Sequence, residues 1–138
     1  MHNASPVGLV LMLYDQLVKD LRQAGIAMRE NRPEACATEL KHGFLIIQQL
    51  EGSLKRDTGE EFVTWLIRFY SLLRTNIIEA QVKRSPELLA EQIAMILNVR
   101  SAWQEVELRN TSASPSSLST APTRNASNED GVRTNWSA

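Results

Sequence analysis

The sequence predicts an all-α protein, an antiparallel up-and-down four-helix bundle followed by a disordered C-terminal tail. Three observations carry that reading. Hydrophobic residues make up 43% of 138 positions, enough to bury one core. Six Gly, five Pro and 6% aromatic residues leave an all-β design short of turn and strand formers. Apolar residues recur at three- and four-residue steps in four blocks, each bounded by helix start and stop signals.

The first block carries the strongest signals. Ser5 is placed to cap a helix and Pro6 to open it, where a missing N–H costs nothing. Val10, Leu13, Tyr14, Leu17, Leu21, Ala24 and Met28 then form one stripe, with Asp15, Lys19, Arg22 and Gln23 opposite. The run from Leu9 to Tyr14 is apolar almost all round, so these turns are expected to be covered on more than one side. Asn31, Arg32 and Pro33 end this helix near Glu30 and start the next, and so short a loop makes the two antiparallel neighbours.

The second helix is expected from about Pro33 to Lys55. Leu40, Phe44, Ile47, Leu50 and Leu54 face inward beside the small Ala37 and Gly43, with Glu39, Lys41, His42, Gln48 and Glu51 outside. Asp57, Thr58 and Gly59 make a turn, and Glu60 and Glu61 suit the positive end of a third helix. That helix carries Phe62, Leu66, Phe69, Tyr70, Leu73, Ile77 and Ala80 down to about Val82, and Lys83 and Arg84 close it. Ser85 and Pro86 repeat the opening signature, and Leu89, Ile93, Ile96, Leu97, Val99 or Arg100, Trp103 and Val106 follow. Residues 1–108 therefore read as the bundle. Residues 109–138, rich in Ser, Thr, Asn and Ala with only Leu118, Val132 and Trp136 as sizeable apolar side chains, read as the disordered tail.

Charge and chemistry narrow the function classes. A net charge of −1 gives no electrostatic footprint for nucleic acid or an anionic membrane. No apolar run reaches the roughly 18 residues of a span, and Met1 to Pro6 is too short and polar for a signal peptide, so a cytoplasmic protein without membrane insertion is expected. The single Cys36 allows no internal disulfide, and it reads as a small half-buried residue rather than a reactive thiol. Asn-x-Ser/Thr triplets at Asn3, Asn110, Asn125 and Asn135 are chance occurrences without an export signal. His42 invites comparison with four-helix phosphotransfer domains, but those resemble His-x-Leu-Lys-Gly, whereas Gly43, Phe44, Leu45 and Ile46 follow here; a solvated histidine is the simpler reading. The pairs Glu60 with Glu61 and Glu105 with Glu107 are explained as solvated charges, and since a di-metal bundle needs Glu-x-x-His pairs pointing inward, no metal or other cofactor is expected.

The unusual feature is apolar surplus. A bundle helix needs roughly three apolar positions in seven. The second helix nevertheless runs Phe44, Leu45, Ile46, Ile47, and the third sets Ile77 and Ile78 beside Leu72 and Leu73. Some of these must face outward, to be covered by an amphipathic helix from another chain or, alternatively, accounted for by loose packing or a homodimer.

Taken together the motifs resemble the flagellar secretion chaperones of the FliS type. Ser5-Pro6 and Leu11-Met12-Leu13-Tyr14-Asp15 are similar to the family's Thr/Ser-Pro opening and Met-Leu-Tyr-Asp helix. Ile46-Ile47-Gln48-Gln49-Leu50 with Ser53-Leu54 is similar to its Ile-Ile-x-Glu-Leu and following Leu. Phe69-Tyr70, Glu79-Ala80-Gln81 and Val99-Arg100-Ser101-Ala102-Trp103 continue the pattern, so that the likeness spans about residues 5–107. Trp65 and Gln81 stand where the family usually has Asn, and only Met1 to Ala4 precede Ser5, where the family carries a longer Tyr-containing segment able to lie over the bundle. That segment is either absent or cut away.

The resemblance implies a non-enzymatic cytoplasmic export chaperone, monomer or homodimer, whose partner is the C-terminal segment of flagellin, with other flagellar export or assembly proteins as further partners. Such a bundle would offer apolar grooves to a segment that folds on binding and is thereby kept from polymerising early. From apolar surplus alone, the expected groove residues are Leu45, Ile46, Leu73, Ile77, Ile78 and Ile96. Tyr14, Tyr70 and Trp103 match family positions and read first as core with polar tips. The alternatives are a helical adaptor or homodimeric interaction module and, further off, a phosphotransfer domain using His42.

Overall fold

A computed structural model describes residues 6–54 and 60–112. They form α1 (Pro6–Arg29), α2 (Pro33–Gly52), α3 (Glu61–Lys83) and α4 (Pro86–Ser112). The expected four-helix bundle is therefore the observed architecture. The expected cap at Ser5, the turn at Asp57–Gly59 and the tail beyond Ser112 lie outside the described residues.

Each boundary has a local cause. α1 stops because Asn31 turns left-handed (φ 57°), which lets the Arg32 amide donate to the Ala27 carbonyl at 2.9 Å and the Asn31 amide to Met28 at 3.1 Å. Arg84 does the same for α3 (φ 51°), with the Ser85 amide on the Ala80 carbonyl at 2.9 Å. Ser85 then caps α4, accepting from the Leu88 amide at 3.1 Å, as its sequence position predicts. α2 ends at Gly52, earlier than the expected Lys55, because the Ser53 hydroxyl takes the Leu50 carbonyl at 2.8 Å and closes the last turn. α4 runs to Ser112, past the expected bundle boundary at residue 108.

The stripes meet in one core. Tyr14, Leu17 and Leu21 of α1, Leu40, Ile47 and Leu50 of α2, Leu66, Leu73 and Ile77 of α3, and Leu89 and Ile96 of α4 are almost wholly removed from water. α1 packs closely between α2 and α4, whereas α3 meets α4 and touches α2 more sparsely. Gly43 permits the tight α1–α2 approach, since a Cβ there would stand 3.4 Å from Leu17 Cδ1 and 3.8 Å from Asp20 Cβ. Gly43→Leu is accordingly expected to wedge these helices apart at a cost of about 1–3 kcal/mol, read as a lowered urea midpoint.

Two expectations fail. Leu9 and Met12 are exposed, so the first turns of α1 are covered on one side only among the described residues. Their positions lie a step off the stripe of Val10, Tyr14 and Leu17, and a helix can turn only one arc towards the core. Ala37 is exposed as well, because Leu40, Gly43 and Ile47 direct α2 inward along a different line.

Candidate functional site

The helix faces left over by the core define the candidate surface. The structure divides the six expected groove residues. Leu45 and Ile78 are each 51% exposed, whereas Ile46, Leu73, Ile77 and Ile96 are buried in the core. The physical reason is register. Leu73 and Ile77 follow Leu66 and Tyr70 and precede Ala80 at steps of three and four, Ile96 shares a face with Leu89 and Val99, and Ile46 flanks Ile47 and Leu50. These four shape the bundle and cannot meet a partner while it is closed.

Two flanks of α3 carry exposed apolar side chains, as do Leu9, Met12 and Ile26 of α1, Leu45 of α2 and Leu97 and Leu108 of α4. Arg74 donates to Glu51 of α2 through Nη2 at 2.6 Å and Nε at 3.2 Å, which fixes one flank towards α2. Ile67 and Ile78, seven residues before Arg74 and four after, lie on that flank, and Phe44 and Leu45 stand on α2 beyond it. Asn76 donates to the buried Gln92 of α4 at 3.1 Å and fixes the other flank towards α4. On that side Trp65 and Leu72 are exposed. Trp65 stacks on Phe69 with ring centres 5.2 Å apart, and Phe62 bridges to Trp103 of α4 at 5.2 Å. The sequence reading named Trp65 only as a departure from a family pattern and did not count it as surface.

Beneath these strips lies a hydrogen-bonded aromatic centre. Tyr14 and Tyr70, from diagonally placed helices, share a hydrogen bond at 2.9 Å with their rings edge to face. Trp103 Nε1 donates to the Tyr14 hydroxyl at 3.2 Å. The expectation of a buried aromatic core with polar tips is met in this triad. Burial pushes the Tyr14 phenol up to about 12, against the weaker opposing effect of its Tyr70 and Trp103 hydrogen bonds. Tyr70 is raised by burial first and then by Tyr14 and Glu51.

Because the folded values exceed the unfolded one of about 10, the stabilisation is complete below pH 10 and is lost as pH rises towards 12. Tyr14 alone then accounts for about 2–3 kcal/mol of lost stability. Urea titrations at pH 8, 10 and 11.5 should show the midpoint holding and then falling, with Tyr70→Phe flattening the fall.

Polar placements missed by sequence reasoning complete the site. Asp20 is buried, accepts from Gln16 Nε2 at 3.0 Å, and lies 2.6 Å from His42 Nδ1. His42 is exposed, as its place on the polar face predicts, and is in addition an α1–α2 strut, whereas Glu51 is a half-buried partner of Arg74 rather than a solvated charge. Glu39 stands three residues before His42, a Glu-x-x-His spacing, but among the described residues no group of three or more His, Cys, Asp or Glu is arranged to hold a metal. Cys36 is buried, more so than expected, and burial pushes its thiol up, away from thiolate reactivity. Arg100 grips Asp15 with Nε at 2.6 Å and Nη2 at 3.2 Å, pinning α4 to α1. No described helix is long and apolar enough to cross a membrane.

The described residues thus define an all-α four-helix protein, tied between helices by polar struts at Asp20–His42, Glu51–Arg74, Asn76–Gln92 and Asp15–Arg100. Comparison with known proteins is more specific. A family model described as Flagellar protein FliS matches residues 1–110, and the chain belongs to that family. It is 28% identical over 104 residues to the flagellar secretion chaperone FliS of Escherichia coli (strain K12), covering 75% of this chain and 76% of that one. The flagellar secretion chaperones FliS of Vibrio cholerae serotype O1 and Bacillus subtilis (strain 168) are 27% and 28% identical, over 75% of this chain and 76% and 77% of theirs.

Proposed function

We propose that this protein is a cytoplasmic, non-enzymatic export chaperone that binds the C-terminal segment of flagellin as amphipathic helices laid along the two flanks of α3. The observation that carries the reading is the exposure of Ile78 beside α2 and of Trp65 and Leu72 beside α4, on a bundle of the flagellar secretion chaperone family. Apolar residues at helical spacing on a partner would bury against these flanks, and the segment would fold as it binds. Of the groove residues expected from sequence, Leu45 and Ile78 are proposed as contacts; Ile46, Leu73, Ile77 and Ile96 serve by holding the helices whose flanks make the surface. Occupying the partner's apolar stripe keeps it from self-assembly, while the entropy of ordering keeps the complex reversible.

Size-exclusion chromatography of the full chain with the last fifty or so residues of its own organism's flagellin tests this reading. The two are expected to co-elute as a defined complex at micromolar concentration. Elution apart, with the bundle folded by circular dichroism, contradicts it, as does equal capture of an N-terminal flagellin segment.

A further inference from the structure

A separate groove of about 380 Å³ opens between the second half of α1 and the start of α4. Leu89 and Ile93 lie along it with the small Gly25 and Ala90, and Ile26 stands 44% exposed at its edge. None of its lining residues belongs to α3, so it is distinct from the flanks described above. Its two rims differ in charge. On α1, Arg22, Ile26 and Arg29 follow at steps of four and three and share one exposed edge. On α4, Glu87 and Glu91 are exposed one turn apart, with Ala90 beside them. Among the described residues neither arginine has an anionic partner and neither glutamate a cationic one, unlike Glu30 with Arg32 or Asp15 with Arg100. Both arginines line the groove and neither glutamate does, so the two signs do not meet within one chain.

α1 and α4 run antiparallel in a register fixed at two places. Arg100 grips Asp15, and a Cβ on Gly25 would stand 4.0 Å from Leu89 Cδ1. The same register sets Arg22 level with Ile93 and Arg29 level with Pro86, and all four line the groove. Glu91 and Glu87 therefore lie within two residues, or roughly 3 Å along the axis, of the levels of Arg22 and Arg29. A half-turn of a second copy about an axis parallel to the helices keeps these levels and lays α1 of each copy on α4 of the other. Basic rim then meets acidic rim, and Ile26 meets Ala90. The face is large enough for a reversible dimer. The 24 residues of α1 at about 1.5 Å each, beside a second axis about 9 Å away, give roughly 650 Å² per copy, towards the lower end of stable interfaces. We infer that two copies of this chain associate through the α1–α4 face about such an axis, with Ile26 over the partner copy's Ala90, and Arg22 and Arg29 against its Glu91 and Glu87. Each contact occurs twice, as closed two-fold symmetry requires. The dimer leaves the α3 flanks open and stands independently of the partner proposed for them.

Sedimentation velocity of the full chain tests the inference. At about 100 µM, above the micromolar dissociation expected of so small an interface, the mass should be about twice 15.5 kDa. Arg22→Glu with Arg29→Glu, and separately Glu87→Arg with Glu91→Arg, put like charges across both contacts. Each variant should sediment as a monomer with unchanged circular dichroism, since all four positions are exposed. An equal mixture of the two variants should regain the dimer, because the acidic α1 of one then meets the basic α4 of the other and the basic α1 meets the acidic α4. Ile26→Ser, which removes the apolar contact twice, should weaken association about tenfold or more. Ile78→Asp, on α3, should leave it unchanged. A monomeric parent chain at the same concentration overturns the proposal, as does a dimer that survives both charge reversals or a mixture that stays monomeric. A dimer dissociated by Ile78→Asp places the seam on α3 and overturns it as well.

Discussion

Ile77→Asp is expected to unfold the bundle. Ile77 is 1% exposed and sits in the core with Leu73 and Ala80 on α3. Truncating a buried branched side chain costs about 2–5 kcal/mol, and forcing a carboxyl into the same site adds the penalty of a buried polar group without partners. The sum approaches the roughly 5–15 kcal/mol by which a domain of this size is stable. Circular dichroism should show a loss of helicity at 25 °C or a collapsed melting transition. Ile77→Val, which keeps the shape less one methyl, should cost only about 0.5–1.5 kcal/mol. A variant that loses partner binding at residue 77 therefore says nothing about a contact surface.

The neighbouring substitution separates binding from folding. Ile78 is half-exposed and lies on the α2-facing flank of α3. Ile78→Asp is expected to change stability by no more than about 0.5 kcal/mol. Its affinity for the flagellin C-terminal segment should nevertheless fall more than tenfold, or about 1.4 kcal/mol, because a carboxylate would have to be desolvated against the partner's apolar face. Leu45→Asp probes the outer side of α2 and Trp65→Ala the α4-facing flank in the same way. If Ile78→Asp binds as tightly as the parent and melts at the same temperature, the α2-facing flank is not the contact. If it instead changes the mass of the free protein in solution, the apolar strip is a seam between copies.

The helices were legible because their punctuation is local. Ser85-Pro86, Pro33 and the acids at the head of α3 announce their roles within a few residues, and the structure places helix starts where those signals fall. The inward stripes were legible from spacing, Tyr14, Leu40, Leu66 and Leu89 among them. Exposure is less legible, because a run of adjacent apolar residues does not say which of them the helix turns outward. Leu73 and Ile77 belong to a stripe that fills the core, and only Ile78, one step of about 100° further round, reaches water.

Angle would also have found the buried polar residues. Asp20 lies three residues after Leu17 and four before Ala24, and Gln92 three after Leu89 and four before Ile96, so both fall on inward faces. What spacing within one helix could not supply is their partners. His42 and Asn76 approach from other helices, and those pairings exist only once the bundle closes. Glu51 was read as solvated for the same reason, since Arg74 lies 23 residues away on α3.

The proposed function requires a folded bundle to capture a segment that orders as it binds. Titration calorimetry of the full chain with the flagellin C-terminal segment, repeated at several temperatures, tests this most directly. Binding at micromolar strength or tighter, with a large negative heat-capacity change, is the predicted result, because apolar burial and coupled folding both remove apolar surface from water. No heat at any temperature from a protein shown to be folded would contradict it and leave the α3 flanks without their proposed partner.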